Sequence, residues 1–138
     1  MRRLITALVF IIPFIAFNQT QIKLISSEER VKELATEVYK DSKEYLQKQH
    51  LQFYKELIER VEIIEVSKAE IEKGNYPLIS TLSLVSKYNS DLDYDKGPNF
   101  NILNFNPLKY FWITEKDGSS KYYRIYGENY LIRLLPNL

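Results

Sequence analysis

Cysteine is absent from this chain, and histidine and tryptophan each occur once. Without cysteine the chain cannot form disulfides, bind metals through thiolates or use a thiol nucleophile. A single histidine also restricts acid-base catalysis and metal binding, because histidine is the side chain that most often serves both near neutral pH. The sequence contains no glycine-rich phosphate loop and no cluster of metal ligands. We therefore predict that it uses no cofactor and no metal.

The chain has no marked excess of either charge, since 19 Lys and Arg residues accompany 18 Asp and Glu residues. Removing Arg2 and Arg3 with the first segment leaves 17 basic against 18 acidic side chains. Nucleic acids and anionic membranes attract strongly basic surfaces. We therefore expect no nucleic-acid partner.

Length and composition are those of one folded domain. The chain has 138 residues, of which 45% are hydrophobic and 27% charged, whereas disordered chains combine low hydrophobicity with high net charge. We predict that residues 21–138 form a single small α+β domain.

Residues 1–20 have the order of a secretory signal. Arg2 and Arg3 precede an uncharged apolar run, Leu4 to Phe17, which polar residues then end. As a helix this run would span about 21 Å, less than the roughly 30 Å hydrocarbon core of a bilayer. We predict a cleaved signal peptide at 1–20 and export to the periplasm or the extracellular space. An uncleaved N-terminal membrane anchor is the alternative, because the residues before Gln19 match the cleavage pattern only in part.

The first half of the predicted domain is helical. Ser26 and Glu29 have the spacing of a capping box, so a helix should begin near Ser27. Apolar residues recur at three- and four-residue steps from Glu28 to Glu62, with no Gly or Pro between them. This pattern predicts one long amphipathic helix, or two helices with a bend near Gln47 to Leu51. His50 lies in that stretch without charged partners at suitable spacing, and we interpret it as a solvated or hydrogen-bonded helix residue.

The middle of the chain carries weaker signals. Ile63 to Val66 predicts a short strand, and a second capping box, Ser67 to Glu70, predicts a brief helix after it. Leu78 to Val85 fits both helix and strand, and we favour strand. In the loop that follows, Asp91, Asp93 and Asp95 have the spacing of the first calcium ligands of an EF-hand, but the required Gly and bidentate Glu are missing. We interpret them as a solvated acidic loop.

The last part of the chain predicts a three-stranded antiparallel meander. Its strands are Tyr110 to Glu115, Lys121 to Tyr126 and Tyr130 to Leu135, which are rich in aromatic and β-branched residues and separated by glycine-containing turns. A turn at Gly127 would pair Tyr123 with Ile132. The predicted fold is therefore α+β, with an amphipathic helix packed on a C-terminal antiparallel sheet.

The two faces of this meander differ in composition. The face toward the helix would hold Phe111, Ile113, Tyr123, Ile125, Tyr130, Ile132 and Leu134. The opposite face combines flat aromatic rings with two arginines, a mixture frequent in recognition surfaces. Its residues are our candidate site for a ligand or partner: Tyr110, Trp112, Tyr122, Arg124, Tyr126 and Arg133. The alternative is that this face is structural, since cross-strand aromatic pairs stabilise any sheet.

These features favour a non-catalytic binding or interaction module that recognises a peptide, glycan or protein outside the cytoplasm. It would contact a membrane only through its N-terminal segment, if that is retained. The alternative is a small-ligand carrier with a pocket between helix and sheet. A small hydrolase ranks last, because no two of its available acid and base groups have matched spacing. Those groups are His50, Asp91, Asp93, Asp95, Glu115, Glu128 and the tyrosines.

Overall fold

The computed structural model describes residues 20–98, 100–113 and 118–137. The predicted signal segment therefore lies outside the described residues, apart from Thr20. Within them the chain is α+β, and its helices and strands are, in order, β1 (Thr20–Lys23), α1 (Glu28–Tyr39), α2 (Lys48–Glu59), β2 (Val61–Glu65), α3 (Lys68–Gly74), β3 (Lys121–Arg124) and β4 (Tyr130–Leu134). Single 3₁₀ turns occur at Ile79–Thr81, Ile102–Asn104 and Pro107–Lys109.

The four strands form one antiparallel sheet in the order β1-β2-β4-β3. The predicted hairpin register is confirmed, since Tyr123 of β3 lies opposite Ile132 of β4. Gly127 in the connecting turn has a φ of 77°, a conformation that residues with a Cβ adopt only at a cost. The turn chemistry and the alternation of apolar residues therefore fix this hairpin.

The first strand of the predicted meander, Tyr110 to Glu115, does not join the sheet in the described residues. The second neighbour of β4 is β2, which comes from the first half of the chain. Tyr110 instead forms an isolated antiparallel bridge with Leu84, and residues 114–117 lie outside the described residues. The sheet is thus not a simple meander.

The assignment of residues 110–113 to the two faces was also wrong. Phe111 and Ile113 are 58% and 62% exposed, whereas Tyr110 is 3% exposed and Trp112 packs against the core. The predicted alternation is present but reversed, because backbone hydrogen bonds set this segment against residues 83–85. Val85 N donates to Lys109 O (2.8 Å) and Phe111 N donates to Ser83 O (2.9 Å). An offset of one residue exchanges every side chain between the two sides.

The helical half consists of two helices, not one. They are separated by residues 40–47, and α2 begins at Lys48, so the break precedes the bend that the sequence predicted near Gln47 to Leu51. Lys40 ends α1 with a positive φ of 52°. The sequence does not predict this helix end, because the position lacks the Gly or Asn that usually adopts a positive φ. The predicted start near Ser27 is confirmed: Ser27, and not Ser26, caps α1 by accepting a hydrogen bond from Arg30 N (3.3 Å).

Two shorter predictions had different outcomes. The brief helix is confirmed as α3, with Ser67 accepting from Glu70 N (3.2 Å) as its N-cap. The strand favoured for Leu78 to Val85 was wrong, because this segment holds a 3₁₀ turn flanked by single bridges at Leu78 and Leu84.

Both faces of the sheet are covered. On one face, β-strand residues such as Ile63 and Ile132 pack with Phe105 and Tyr110 of the irregular segment. Helices α1 and α2 form a second cluster, which Leu57 joins to the first. On the other face Ile64, Val66 and Leu131 are covered by Ile71, Tyr76 and Tyr122. The sheet is therefore a middle layer.

Candidate functional site

Three of the six predicted site residues lie on the sheet face that α3 covers. Arg133 and Tyr122 are directly opposite each other, as are Arg124 and Leu131. The remaining three, Tyr110, Trp112 and Tyr126, lie elsewhere. The structure therefore does not bring the six residues onto one face.

Both arginines of this group bond within the protein. Arg133 donates through Nε to Glu62 (3.0 Å) and through Nη2 to the same carboxylate oxygen. The hydrogen bond from Arg133 to Glu62 raises the pKa of the guanidinium above its ordinary value. Arg124 donates through Nε to the carbonyl of Tyr76 (3.1 Å). Each side chain fastens part of the fold, which limits what it can offer a partner.

Trp112 and Tyr110 belong to the core on the other side of the sheet. The indole of Trp112 donates to Pro107 O (2.8 Å) and meets the rings of Tyr110 and Tyr123 edge-on, both at 5.7 Å between centroids. Such edge-to-face pairs add stability beyond the area that they bury. Trp112 therefore holds the irregular segment against the sheet.

A buried polar group surrounds the hydroxyl of Tyr110. This hydroxyl donates to Asp95 Oδ2 (2.5 Å) and accepts from the backbone N of Asp95 (2.9 Å). Lys109 Nζ lies 2.9 Å from the same Oδ2 and donates to Asp93 O (2.7 Å). Burial, followed by the negative charge of Asp95, raises the pKa of Tyr110 well above its ordinary value. Asp95 is thus held from two sides.

Asp93 and Asp95 of this polar group line a surface cleft of about 270 Å³, whereas Tyr110 and Lys109 lie behind them. The cleft is lined by Leu78, Ile79, Ser80, Asp93, Tyr94, Asp95, Lys96 and Tyr126. Tyr126, one of these lining residues, is 65% exposed. We call this site the Tyr126 cleft.

The loop that carries Asp93 to Lys96 is fastened to the β3–β4 hairpin. Gly97 N donates to Tyr126 O (2.7 Å), and Lys96 forms a parallel bridge with Tyr126. A Cβ on Gly97 would come within 2.5 Å of Glu128 Oε1. Since Oε1 is the end of a flexible side chain, Glu128 could move aside for such a Cβ, and it is the backbone pairing with Gly97 and Lys96 that places Tyr126 beside the loop.

The charges of the Tyr126 cleft pair within the protein. Asp93 lies 3.7 Å from Lys96, an exposed pair, and Asp95 lies 2.9 Å from Lys109, whose side chain is 10% exposed. Asp95 is thus an internal hydrogen-bond partner, and not the freely solvated carboxylate that the sequence predicted. Among residues 20–98, 100–113 and 118–137, no three His, Asp or Glu side chains are grouped so as to hold a metal ion.

A second aromatic cluster, which sequence reasoning missed, lies around the connection between α1 and α2. Tyr39 stacks on Tyr45 (4.8 Å) and on Tyr54 (5.3 Å), and Tyr88 meets Tyr45 at 5.1 Å. His50 lies beside Tyr45 (5.8 Å), and its buried Nδ1 has no hydrogen-bond partner in the described part of the chain. These rings contact one another, so the cluster packs the connection between α1 and α2 against the loop at Tyr88.

Two further depressions lie outside the Tyr126 cleft. One, of about 170 Å³, separates α1 from α2 and is lined mostly by charged and polar residues, including Lys48 and Gln52. The other, of about 60 Å³, lies between residues 22–25, Arg30 and Leu34 of α1, and residues 102–105. This second depression does lie between a helix and a strand, but its volume is well below the roughly 300–1,000 Å³ of typical ligand pockets.

No protein-family model, curated protein or solved structure matches this chain. No helix in the described ranges is both long enough and apolar enough to span a bilayer.

Proposed function

We propose that this chain is an exported, non-catalytic binding module whose ligand occupies the Tyr126 cleft. The observation that carries the proposal is the combination, in one cleft, of an exposed aromatic ring and a carboxylate held in place from behind. Tyr126 is 65% exposed, and Asp95 is fixed by Tyr110 and Lys109. A preorganised polar group beside apolar surface is how small-molecule sites combine affinity with orientation.

A binding role fits the chemistry of the cleft better than a catalytic one. A general acid or base must be able to exchange a proton with a substrate. The oxygen Asp95 Oδ2 already accepts from Tyr110 (2.5 Å) and lies 2.9 Å from the ammonium of Lys109. These two contacts hold the Asp95 carboxylate in one position and occupy the oxygen that would exchange a proton, which suits recognition.

The export part of the proposal rests on the sequence. Arg2 and Arg3, followed by the apolar run from Leu4 to Phe17, have the order of a signal segment. Mass spectrometry of the protein secreted from its own cells would test this part. A mature chain that begins near Thr20 is the expected result, and a protein that remains in the cytosol with Met1 in place would contradict it.

The binding part can be tested with amide NMR on residues 20–138 and a library of small polar and aromatic fragments. We expect the binding fragments to shift the amides of residues 78–80, 93–96 and 126 together. Tyr126→Ala should weaken this binding roughly tenfold, since it removes the exposed ring. The same substitution should change stability by less than about 0.5 kcal/mol.

Phe53→Ala provides the matched control. Phe53 is also an exposed aromatic, at 63%, but it lies on α2 and does not line the cleft. Fragment binding should be the same in this variant as in the unmodified protein. Fragments that bind only at Tyr122 and Arg124, or a binding site that survives Tyr126→Ala, would contradict the proposal.

A further inference from the structure

We infer that the ligand of the Tyr126 cleft is a neutral, polyhydroxylated molecule, a saccharide. The inference rests on the proposed function of the cleft and specifies the chemical class that it recognises. Three features of the cleft support it: its balanced charge, its exposed ring and its mixture of hydrogen-bonding groups.

The balance of charge comes first. The two carboxylates of the cleft, on Asp93 and Asp95, are each paired with an ammonium, Lys96 at 3.7 Å and Lys109 at 2.9 Å. A charged ligand would have to displace one of these partners or stay without a counter-charge. The side chain of Asp95 is only 15% exposed, and Lys109 lies beside it. A charged ligand at Asp95 would therefore have to compete with Lys109 in a site that is largely shielded from water. Ligands without net charge avoid this cost.

The exposed ring supplies a flat apolar surface. Tyr126 is 65% exposed, and the half-buried Tyr94 and Leu78 lie in the same cleft. A pyranose ring presents axial C–H groups on one face and hydroxyls around its rim. Its C–H face can therefore cover an aromatic ring while the hydroxyls remain free to bond.

The hydrogen-bonding groups of the cleft are of both kinds. The carboxylates of Asp93 and Asp95 accept hydrogen bonds, the ammonium of Lys96 donates, and the hydroxyl of Ser80 does both. Asp95 Oδ2 accepts a hydrogen bond from Tyr110 and forms the ion pair with Lys109, and no bond to Oδ1 forms among the described residues. A sugar hydroxyl donates and accepts at once, so neighbouring hydroxyls can use an acceptor and a donor in turn.

Isothermal titration calorimetry with defined probes tests the inference. The neutral probes are maltohexaose, cellohexaose, laminarihexaose and hexa-N-acetylchitohexaose, and the charged probes are hexalysine and a heparin hexasaccharide. We expect at least one neutral hexasaccharide to bind, with a Kd that changes less than about twofold between about 0.05 and about 0.5 M NaCl. Tyr126→Ala should weaken it roughly tenfold, whereas Tyr126→Trp and Phe53→Ala should retain it.

The other outcomes separate the inference from the proposed function. If hexalysine or the heparin hexasaccharide binds with a Tyr126-dependent and strongly salt-dependent Kd, the saccharide inference is overturned and the binding cleft stands. If the NMR fragments locate in the cleft but no neutral hexasaccharide binds, the inference is overturned in the same way. If neither fragments nor hexasaccharides bind there, both the inference and the proposed function fail.

Discussion

Replacing Arg133 by methionine should destabilise the protein by about 3 kcal/mol, because it leaves a buried carboxylate without its partner. The side chain of Glu62 is 5% exposed and that of Arg133 is 20% exposed. Nε and Nη2 of Arg133 both donate to Glu62, so the substitution removes two charge-assisted hydrogen bonds at once. Lys23 lies 3.9 Å from Glu62 but its side chain is 75% exposed, so it offsets only part of the loss. This places the expected cost at the lower end of the range of roughly 3–5 kcal/mol for breaking a buried ion pair.

The assay is urea unfolding at pH 7, followed by far-ultraviolet circular dichroism. A loss of about 3 kcal/mol corresponds to a fall in Tm of about 12 °C for a domain of this size. The double variant Glu62→Met with Arg133→Met removes the unpaired charge as well, and it should be more stable than the single variant. Lys68→Met is the control for an exposed pair: Lys68 and Glu72 lie 4.0 Å apart with side chains 80% and 67% exposed. It should cost less than about 0.5 kcal/mol.

Two results would refute this reasoning. A cost below about 1 kcal/mol for Arg133→Met would mean that Glu62 is solvated, as in a surface pair. A double variant that is less stable than the single variant would mean that Glu62 stabilises the fold without Arg133, for example through Lys23. In the first case Arg133 would become available again as a residue for recognition.

Two other substitutions test the interior. Trp112→Ala should cost about 3 kcal/mol in urea unfolding, because it removes a half-buried indole with a hydrogen bond and two ring contacts, and a cost under about 1 kcal/mol would show that Trp112 is a surface residue. For Tyr110, burial raises the pKa of the phenol in the folded state. The contribution of Tyr110 to stability is therefore fully present below about pH 10, where the phenol is protonated in the unfolded chain too. This contribution falls as pH rises further. Each such tyrosine lowers stability by up to about 1.4 kcal/mol per pH unit above that point. Tyr110→Phe should therefore make the decline between about pH 10 and pH 11.5 shallower, and an unchanged slope would mean that Tyr110 ionises as readily in the folded protein.

The hairpin shows what local sequence can determine. Its register follows from a two-residue alternation on each side of a turn that contains Gly127. All the information lies within residues 121–134, so no distant part of the chain is needed. The N-caps at Ser27 and Ser67 are local in the same sense, since each bonds to a backbone N three residues later.

The segment at residues 110–113 shows where local sequence becomes insufficient. Its alternation was visible, but which side faces inward depends on the pairing with residues 83–85 and on the bond between Tyr110 and Asp95. Alternation alone is symmetrical between the two choices. The break between α1 and α2 is similar: the stacked rings of Tyr39 and Tyr45 accompany a left-handed Lys40, and neither Gly nor Pro marks the position.

The Tyr126 cleft was only partly accessible to sequence reasoning for the same physical reason. Tyr126 was in the predicted site, but the other residues of the cleft come from distant segments, such as Ser80 and Asp95, and Asp95 is held by Lys109 from behind. The spacing of Asp95 from Asp91 and Asp93 is a local property of the loop, and it contains no information about the partners of Asp95 elsewhere in the chain. The ammonium that neutralises it comes from a 3₁₀ turn later in the chain, so its role depends on the tertiary fold.

The distribution of charge links the stability of this protein to the recognition that we propose for it. Arg133 of the predicted recognition face is bonded to Glu62, and Lys109, whose side chain is 10% exposed, lies 2.9 Å from Asp95 Oδ2. A buried charge that lost such a partner would cost several kcal/mol, so a ligand has little access to either pair. What remains open beside them is the ring of Tyr126 and polar groups that are oriented but neutralised. In a chain without cysteine, ion pairs thus help to hold strands and a loop in place, and the recognition that we propose would depend on shape, aromatic surface and neutral hydrogen bonds.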